Sequence, residues 1–187
     1  MSGGALDRVL LGHCAPTLAG LKSASMICLP VGGEQGMQTT ARWREMMQHR
    51  GVEVQVLRSS AERTLIYLYR GKLLLKDWEK PGTADFLRRH DYEPKEGVAA
   101  NVERLKQRIA EHPCFPHEIG LFLGYPLEDV QGFIDNGGRN YGLCGCWKVY
   151  GDVEAARACF ARYRKCVQVY LRCYQNGQSL TRLTVAG

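Results

Sequence analysis

The chain has 187 residues, 45% hydrophobic and 24% charged, with 25 basic against 19 acidic side chains and a formal net charge of +6. This is the length and composition of one ordinary globular domain, 1–187, with a real core, and the mild positive excess admits an anionic ligand or nucleic acid without requiring either. No run of about 18 apolar residues offers a transmembrane helix, and the first residues, MSGGALDRVLLGHCAP, lack the basic region and apolar core of a signal peptide, so a cytoplasmic protein with no membrane partner is expected.

In chain order, the first segment carries Pro16. The residue before a proline is biased away from helix, so Ala15 is expected to be extended and a short helix to follow over 17–22. Residues 24–29 read as an apolar strand closed by Pro30-Val31-Gly32-Gly33. A helix over 40–48 turns Trp43, Met46 and Met47 inward and stops at Gly51. Val52, Val54 and Val56 alternate with polar residues, and 65–69 follows after a polar break, which predicts an antiparallel hairpin. Helical pieces over 72–77 and 84–89 flank Pro81-Gly82. Residues 98–111 are strongly periodic, with Val102, Leu105 and Ile109 on one side, and His112-Pro113 ends that helix.

Residues 115–136, FPHEIGLFLGYPLEDVQGFIDN, read as two short helices joined at Gly124-Tyr125-Pro126, a helix-turn-helix-like corner. Gly120 lets the helices approach, Gly124 takes the turn, and Ile119, Leu123, Tyr125, Val130 and Phe133 supply the apolar interior. A DNA reader would present the start of its second helix to phosphates. Here that start carries Glu128 and Asp129, so specific DNA binding is not expected. After a glycine-rich loop over 136–142, a strand over 146–150 leads through Gly151-Asp152 into a long helix to about Tyr174, stopped by Gly177. Its Arg157, Arg162, Arg164, Lys165 and Arg172 read as a solvated face. A final strand is expected over 180–185. Strands and helices do not alternate strictly, so the expected class is α+β: a small, mainly antiparallel sheet of three to five strands covered by about six helices.

The stretches HCAPTLAGLKSASMI (13–27), 115–136 and CWKVYGD (146–152) together resemble, over nearly the whole chain, a family of small bacterial proteins known only as a domain of unknown function. The resemblance implies a soluble, single-domain, cytoplasmic bacterial protein and brings no activity with it.

Eight cysteines raise the question of metal or disulfides. Cys144-x-Cys146 does not have the paired spacing of common structural zinc sites, so no metal is assigned. Cys159, Cys166 and Cys173 recur every seven residues and share one helix face as small apolar groups, expected to be reduced and mostly buried. The candidate binding residues are His13, Cys14, Lys22, His117 and Glu118, because they concentrate ionisable groups in the most distinctive motifs. His13 and His117 are both placed next to helix starts, where unpaired N–H groups favour anions, and are expected to share one cleft with Cys14 or Lys22 at its wall. Glu118 also suits the positive end of a helix dipole. A thiol–imidazole pair between Cys14 and His117 is one arrangement; a buried structural Cys14 is the other. No P-loop, GxGxxG, HExxH or GxSxG signature occurs, so no reaction and no cofactor is specified. The function expected is binding of a small molecule or anionic ligand, with an enzyme role open. The alternative is a non-enzymatic adaptor or regulatory module that docks a protein partner through an exposed apolar groove along the corner.

Overall fold

The computed structural model describes residues 3–111 and 115–187. Their elements, in order, are α1 (Gly3–Leu18), β1 (Ala24–Leu29), α2 (Gly33–Met47), β2 (Glu53–Ser59), β3 (Thr64–Tyr69), α3 (Gly71–Trp78), α4 (Thr83–Arg89), α5 (Val98–Glu111), α6 (Ile119–Phe122), α7 (Leu127–Asp135), β4 (Leu143–Cys144), β5 (Lys148–Val149), α8 (Val153–Gln175) and α9 (Leu180–Leu183). The chain is α+β, with a three-stranded antiparallel sheet in the order β1-β3-β2 and a two-stranded β4–β5 ladder. The helical segments outnumber the six expected because several are short: α6 and α9 have four residues each. Among the described residues no helix is long and apolar enough to cross a membrane. The chain divides into two compact units, one holding the described residues up to Leu73 together with Lys165–Gly187, the other Leu74–Arg164.

In the first unit, α1 places Leu6, Leu10, Leu11, Cys14 and Leu18 on one face. They meet Ile27 and Leu29 of β1, Val54 of β2, Ile66 and Leu68 of β3, and Trp43 and Met47 of α2 in one core cluster. This corrects the expected start of the fold. Ala15 is helical, Pro16 lies inside α1, and no separate helix spans 17–22. Proline forfeits one backbone bond, but the apolar face runs continuously to Leu18, and its burial outweighs that loss. The Pro16 carbonyl then accepts from the amides of Leu21 (2.8 Å) and Lys22 (3.1 Å), which turns the chain toward β1.

β1 spans the expected residues, and β2 and β3 form the expected hairpin. The alternation of its valines breaks at a bulge between Val56 and Arg58. Leu57 is buried while Val56 is only half-buried, because one extra residue exchanges the two faces of a strand. At the end of the chain, 180–183 is helix α9 where a strand was expected. Ser179 Oγ accepts from the Arg182 amide (3.3 Å), and Leu180 and Leu183, three apart, both enter the core.

Two buried charges fasten this unit. Asp7 of α1 accepts from Arg42, from Trp43 Nε1 (2.8 Å) and from Tyr174 Oη (3.1 Å), and so links α1 to α2 and to the end of α8. Arg70 follows β3, is 3% exposed, and donates to the carbonyls of Thr17 (2.6 Å), Leu18 (2.7 Å), Val185 (2.8 Å) and Arg50 (3.3 Å). Thr17 and Leu18 end α1, and Arg50 ends the 3₁₀ turn after α2, so the guanidinium sits where carbonyls lack helical partners. Burial lowers the Arg70 pKa from its ordinary value.

The second unit buries Trp78, Phe86, Leu87, Tyr92 and Phe122 with the expected α5 face of Val102, Leu105 and Ile109. Trp78 meets Phe122 edge-on at 5.2 Å, and its Nε1 donates to the Leu121 carbonyl (3.3 Å). The expected stop at His112-Pro113 lies outside the described residues. Asp152 Oδ1 accepts from the Ala155 amide (2.9 Å) and caps α8, and Gly177 follows that helix at φ +86°.

Arg70→Ala should destabilise the protein by about 3 kcal/mol, because four carbonyls, two of them in buried contacts, lose a charged donor at once. Arg70→Lys should cost less, since one ammonium cannot reach all four. Urea unfolding monitored by circular dichroism measures both.

Candidate functional site

The corner of the second unit is built by two glycines and a proline. A Cβ on Gly120 would lie 2.6 Å from Val130 Cγ2, so only glycine lets α6 approach α7 this closely. Gly124 turns the chain at φ +71°, and Pro126 stands at the N-cap of α7. The two helices bend where expected, although the first is a single turn and His117 and Glu118 form the turn before it. Ile119, Leu123 and Val130 are buried as expected, whereas Tyr125 and Phe133 are half-buried and face a cavity.

Asp129 holds the β4–β5 hairpin to this corner. It is 3% exposed and accepts from three N–H groups: Trp147 Nε1 (2.6 Å), the Tyr150 amide (2.7 Å) and the Gly151 amide (2.8 Å). The acidic start of α7 is thus partly internal, with Asp129 turned inward and Glu128 exposed. Gly145, at the hairpin turn, lies against α8 so closely that a Cβ would stand 2.3 Å from the Phe160 ring. Trp147 meets Phe160 edge-on at 4.5 Å and stacks on Tyr125 at 4.7 Å. Burial, with the Cys146 thiol nearby, pushes the Tyr125 phenol up to about 12.

Between α6, α7 and the hairpin lies a cavity of about 330 Å³. Tyr125, Val130, Phe133 and Trp147 give it an apolar aromatic wall, and His117, Cys144 and Lys148 bring polar atoms to it. His117 is exposed and meets Phe133 edge-on at 5.1 Å. Cys144 and Lys148 are register partners across the ladder. Lys148 Nζ donates to the Gly138 carbonyl (2.6 Å) and stands 4.9 Å from the Tyr141 ring centroid and 5.7 Å from that of Phe133. A second cavity, about 420 Å³, is bounded by Arg88, Tyr92, Glu93 and Arg104. Its charges largely pair within the fold: Arg88 with Asp85 and Glu93, and Asp91 with Arg108.

The five sequence candidates divide between the units. His13 is exposed in the interior of α1, not beside a helix start, so the expected anion-favouring amides are not next to it. Cys14 is wholly buried in the core of the first unit, and burial pushes its thiol up to about 12, with the Lys22 ammonium and Ser25 pulling the other way. A thiol so placed is a weak nucleophile. Lys22 is half-buried in the same unit. Glu118 is buried in the second unit, pairs with Arg108 Nε (3.0 Å) and accepts from Tyr92 Oη (3.2 Å). Of the five, His117 alone lines the 330 Å³ cavity, and every residue of that lining belongs to the second unit.

Trp147 and Lys148 were missed as site residues, although the CWKVYGD motif contains both. The strand expected over 146–150 is in fact a two-residue ladder around a tight turn, and only that turn brings them to the cavity. Along the corner where an adaptor's apolar groove was expected, Leu121, Phe122 and Val130 are buried, and Leu127 and Phe133 are half-buried. Arg157, Arg162, Arg164, Lys165 and Arg172 are exposed. Cys166 is buried, whereas Cys159 and Cys173 are half-buried, so the cysteine face of α8 is less covered than expected. Among the described residues no group of three His, Cys, Asp or Glu side chains is placed to hold a metal ion.

The family model described as "Protein of unknown function (DUF3793)" matches residues 10–184. No curated protein and no solved structure matches the chain.

Asp129→Ala should free the hairpin. Hydrogen exchange at the Tyr150 and Gly151 amides is expected to accelerate by at least about tenfold, and stability to fall by about 2–3 kcal/mol. The buried Cys14 thiol predicts a pH dependence. The unfolded thiol ionises near 9.0 and the folded one at about 12, so the unfolded chain releases its proton first as pH rises. This contribution is intact below pH 9 and falls between pH 9 and 12. Cys14→Ala should therefore lose stability less steeply over that interval, as measured by urea midpoints at a series of pH values.

Proposed function

Since the chain belongs to this family of proteins of unknown function, which supplies no activity to carry over, we propose from the site itself that the protein binds a small organic molecule in the cavity between α6, α7 and the β4–β5 hairpin. The carrying observation is an aromatic wall with a few convergent polar groups, in a cavity of about 330 Å³. Small-molecule sites combine these features: apolar side chains supply most of the contact, and a few fixed polar atoms orient the ligand. The wall is organised before any ligand arrives, because Asp129 fixes Trp147 and the stacked Tyr125 ring limits its movement. Binding then orders few side chains, which favours affinity. His117, Cys144 and Lys148 are the residues that would meet polar atoms of the ligand. We further read the chain as a cytoplasmic binding protein.

The neutral dye phenylnaphthylamine tests the cavity without testing charge. It should bind saturably, one molecule per chain, with a rise in dye emission. Cys144→Trp, which fills the cavity from the ladder, should weaken binding at least about tenfold without changing the circular dichroism spectrum. Absence of saturable binding, or equal binding by the variant, would rule out this cavity as the site.

A further inference from the structure

We propose that the ligand of this cavity is a planar aromatic anion, whose ring lies against the wall of Trp147 and Phe133 and whose charge meets Lys148. The inference rests on the cavity being a binding site and adds the chemical class of its occupant. Its basis is an imbalance of charge. Two ionisable side chains of opposite sign, Asp129 and Lys148, line the cavity, and they are engaged very differently. The carboxylate of Asp129 is occupied by three N–H donors, two from the backbone and one from Trp147. Lys148 forms no ion pair with any described carboxylate, and its ammonium meets the Gly138 carbonyl and the faces of Phe133 and Tyr141.

An ammonium has three N–H donors, and a neutral carbonyl with two ring quadrupoles leaves its charge uncompensated. In a half-buried position beside apolar rings this is costly, and an anion in the cavity would supply the missing partner. The same contacts fix where the charge stands. The Gly138 carbonyl holds Nζ at 2.6 Å, and Gly138 itself is buried at φ +73°, so the ammonium is held against a turn of defined shape. The rest of the wall selects the ligand body. Trp147 is held edge-on by Phe160 and stacked on Tyr125, a flat and laterally fixed surface suited to a planar ring. His117 lies beside Phe133 on the same wall and can donate a hydrogen bond to the anionic group or to a ring substituent.

The test compares three probes of one shape in the full-length protein: naphthalene sulfonate, naphthalenemethanol and naphthylmethylamine, titrated by calorimetry. The sulfonate should bind about tenfold tighter than the alcohol, and the amine weakest. Lys148→Met should remove the preference for the sulfonate while leaving alcohol affinity within about twofold, and Lys148→Arg should keep the preference. Raising the salt concentration should narrow the sulfonate–alcohol gap in the native protein, a readout that needs no variant. Equal or tighter binding of the alcohol would overturn the inference and leave the cavity reading standing. A sulfonate preference that survives both Lys148→Met and Lys148→Gln would overturn the role of Lys148. If none of the three probes binds, the inference and the cavity reading fail together.

Discussion

The second unit is organised by the three N–H groups that converge on Asp129. Each of the two walls on either side of the cavity is small. α7 has nine residues, and the ladder has two residues per strand, too few to hold a position through its own hydrogen bonds. A buried carboxylate offers several acceptor sites and loses much if any of its donors withdraws. The hairpin is therefore fixed to the helix at one charged point, and the side chains on both sides of that point inherit its position. Phe160 closes the arrangement from α8, where Gly145 leaves no space for a side chain.

The first unit solves the same problem with the opposite sign. There the chain ends α1 and the turn after α2 with carbonyls that have no helical partner, and Arg70 gathers them. A guanidinium suits this because its donors point several ways from one planar group. In each unit a buried charge, Arg70 in the first and Asp129 in the second, is satisfied mainly by backbone groups distant from it in sequence. Such a charge acts as a register pin: it can be satisfied in one arrangement of the surrounding segments and not in a neighbouring one.

This also explains what could and could not be read from the sequence. β1, the β2–β3 hairpin and α5 were legible because their periodicity and their burial agree, as with Val102, Leu105 and Ile109. The local rule at Pro16 failed because the apolar face from Leu6 to Leu18 overrode it, and 180–183 became helix because two leucines three apart needed the same core. The bulge at Leu57 had no signal in the alternation of valines. At the site, Gly120, Gly124 and the apolar residues of the corner were readable as a packed turn. The partners of Asp129 were not, since contacts over roughly twenty residues leave no mark in local pattern. The acidic pair Glu128-Asp129 was read as one patch of surface charge. One of the two is a structural anchor, and burial alone separates them.

Trp147 carries one more consequence. Of the three tryptophans, Trp43 is wholly buried and Trp78 is 2% exposed, so water reaches neither indole to any extent. Trp147 is the half-buried one, and it forms part of the cavity wall. The long-wavelength part of the protein's intrinsic emission therefore originates at the candidate site, and the short-wavelength part in the two cores. The chain carries its own spectroscopic separation of site from scaffold: a molecule entering the cavity would alter one edge of the spectrum, while loss of core packing would alter the other.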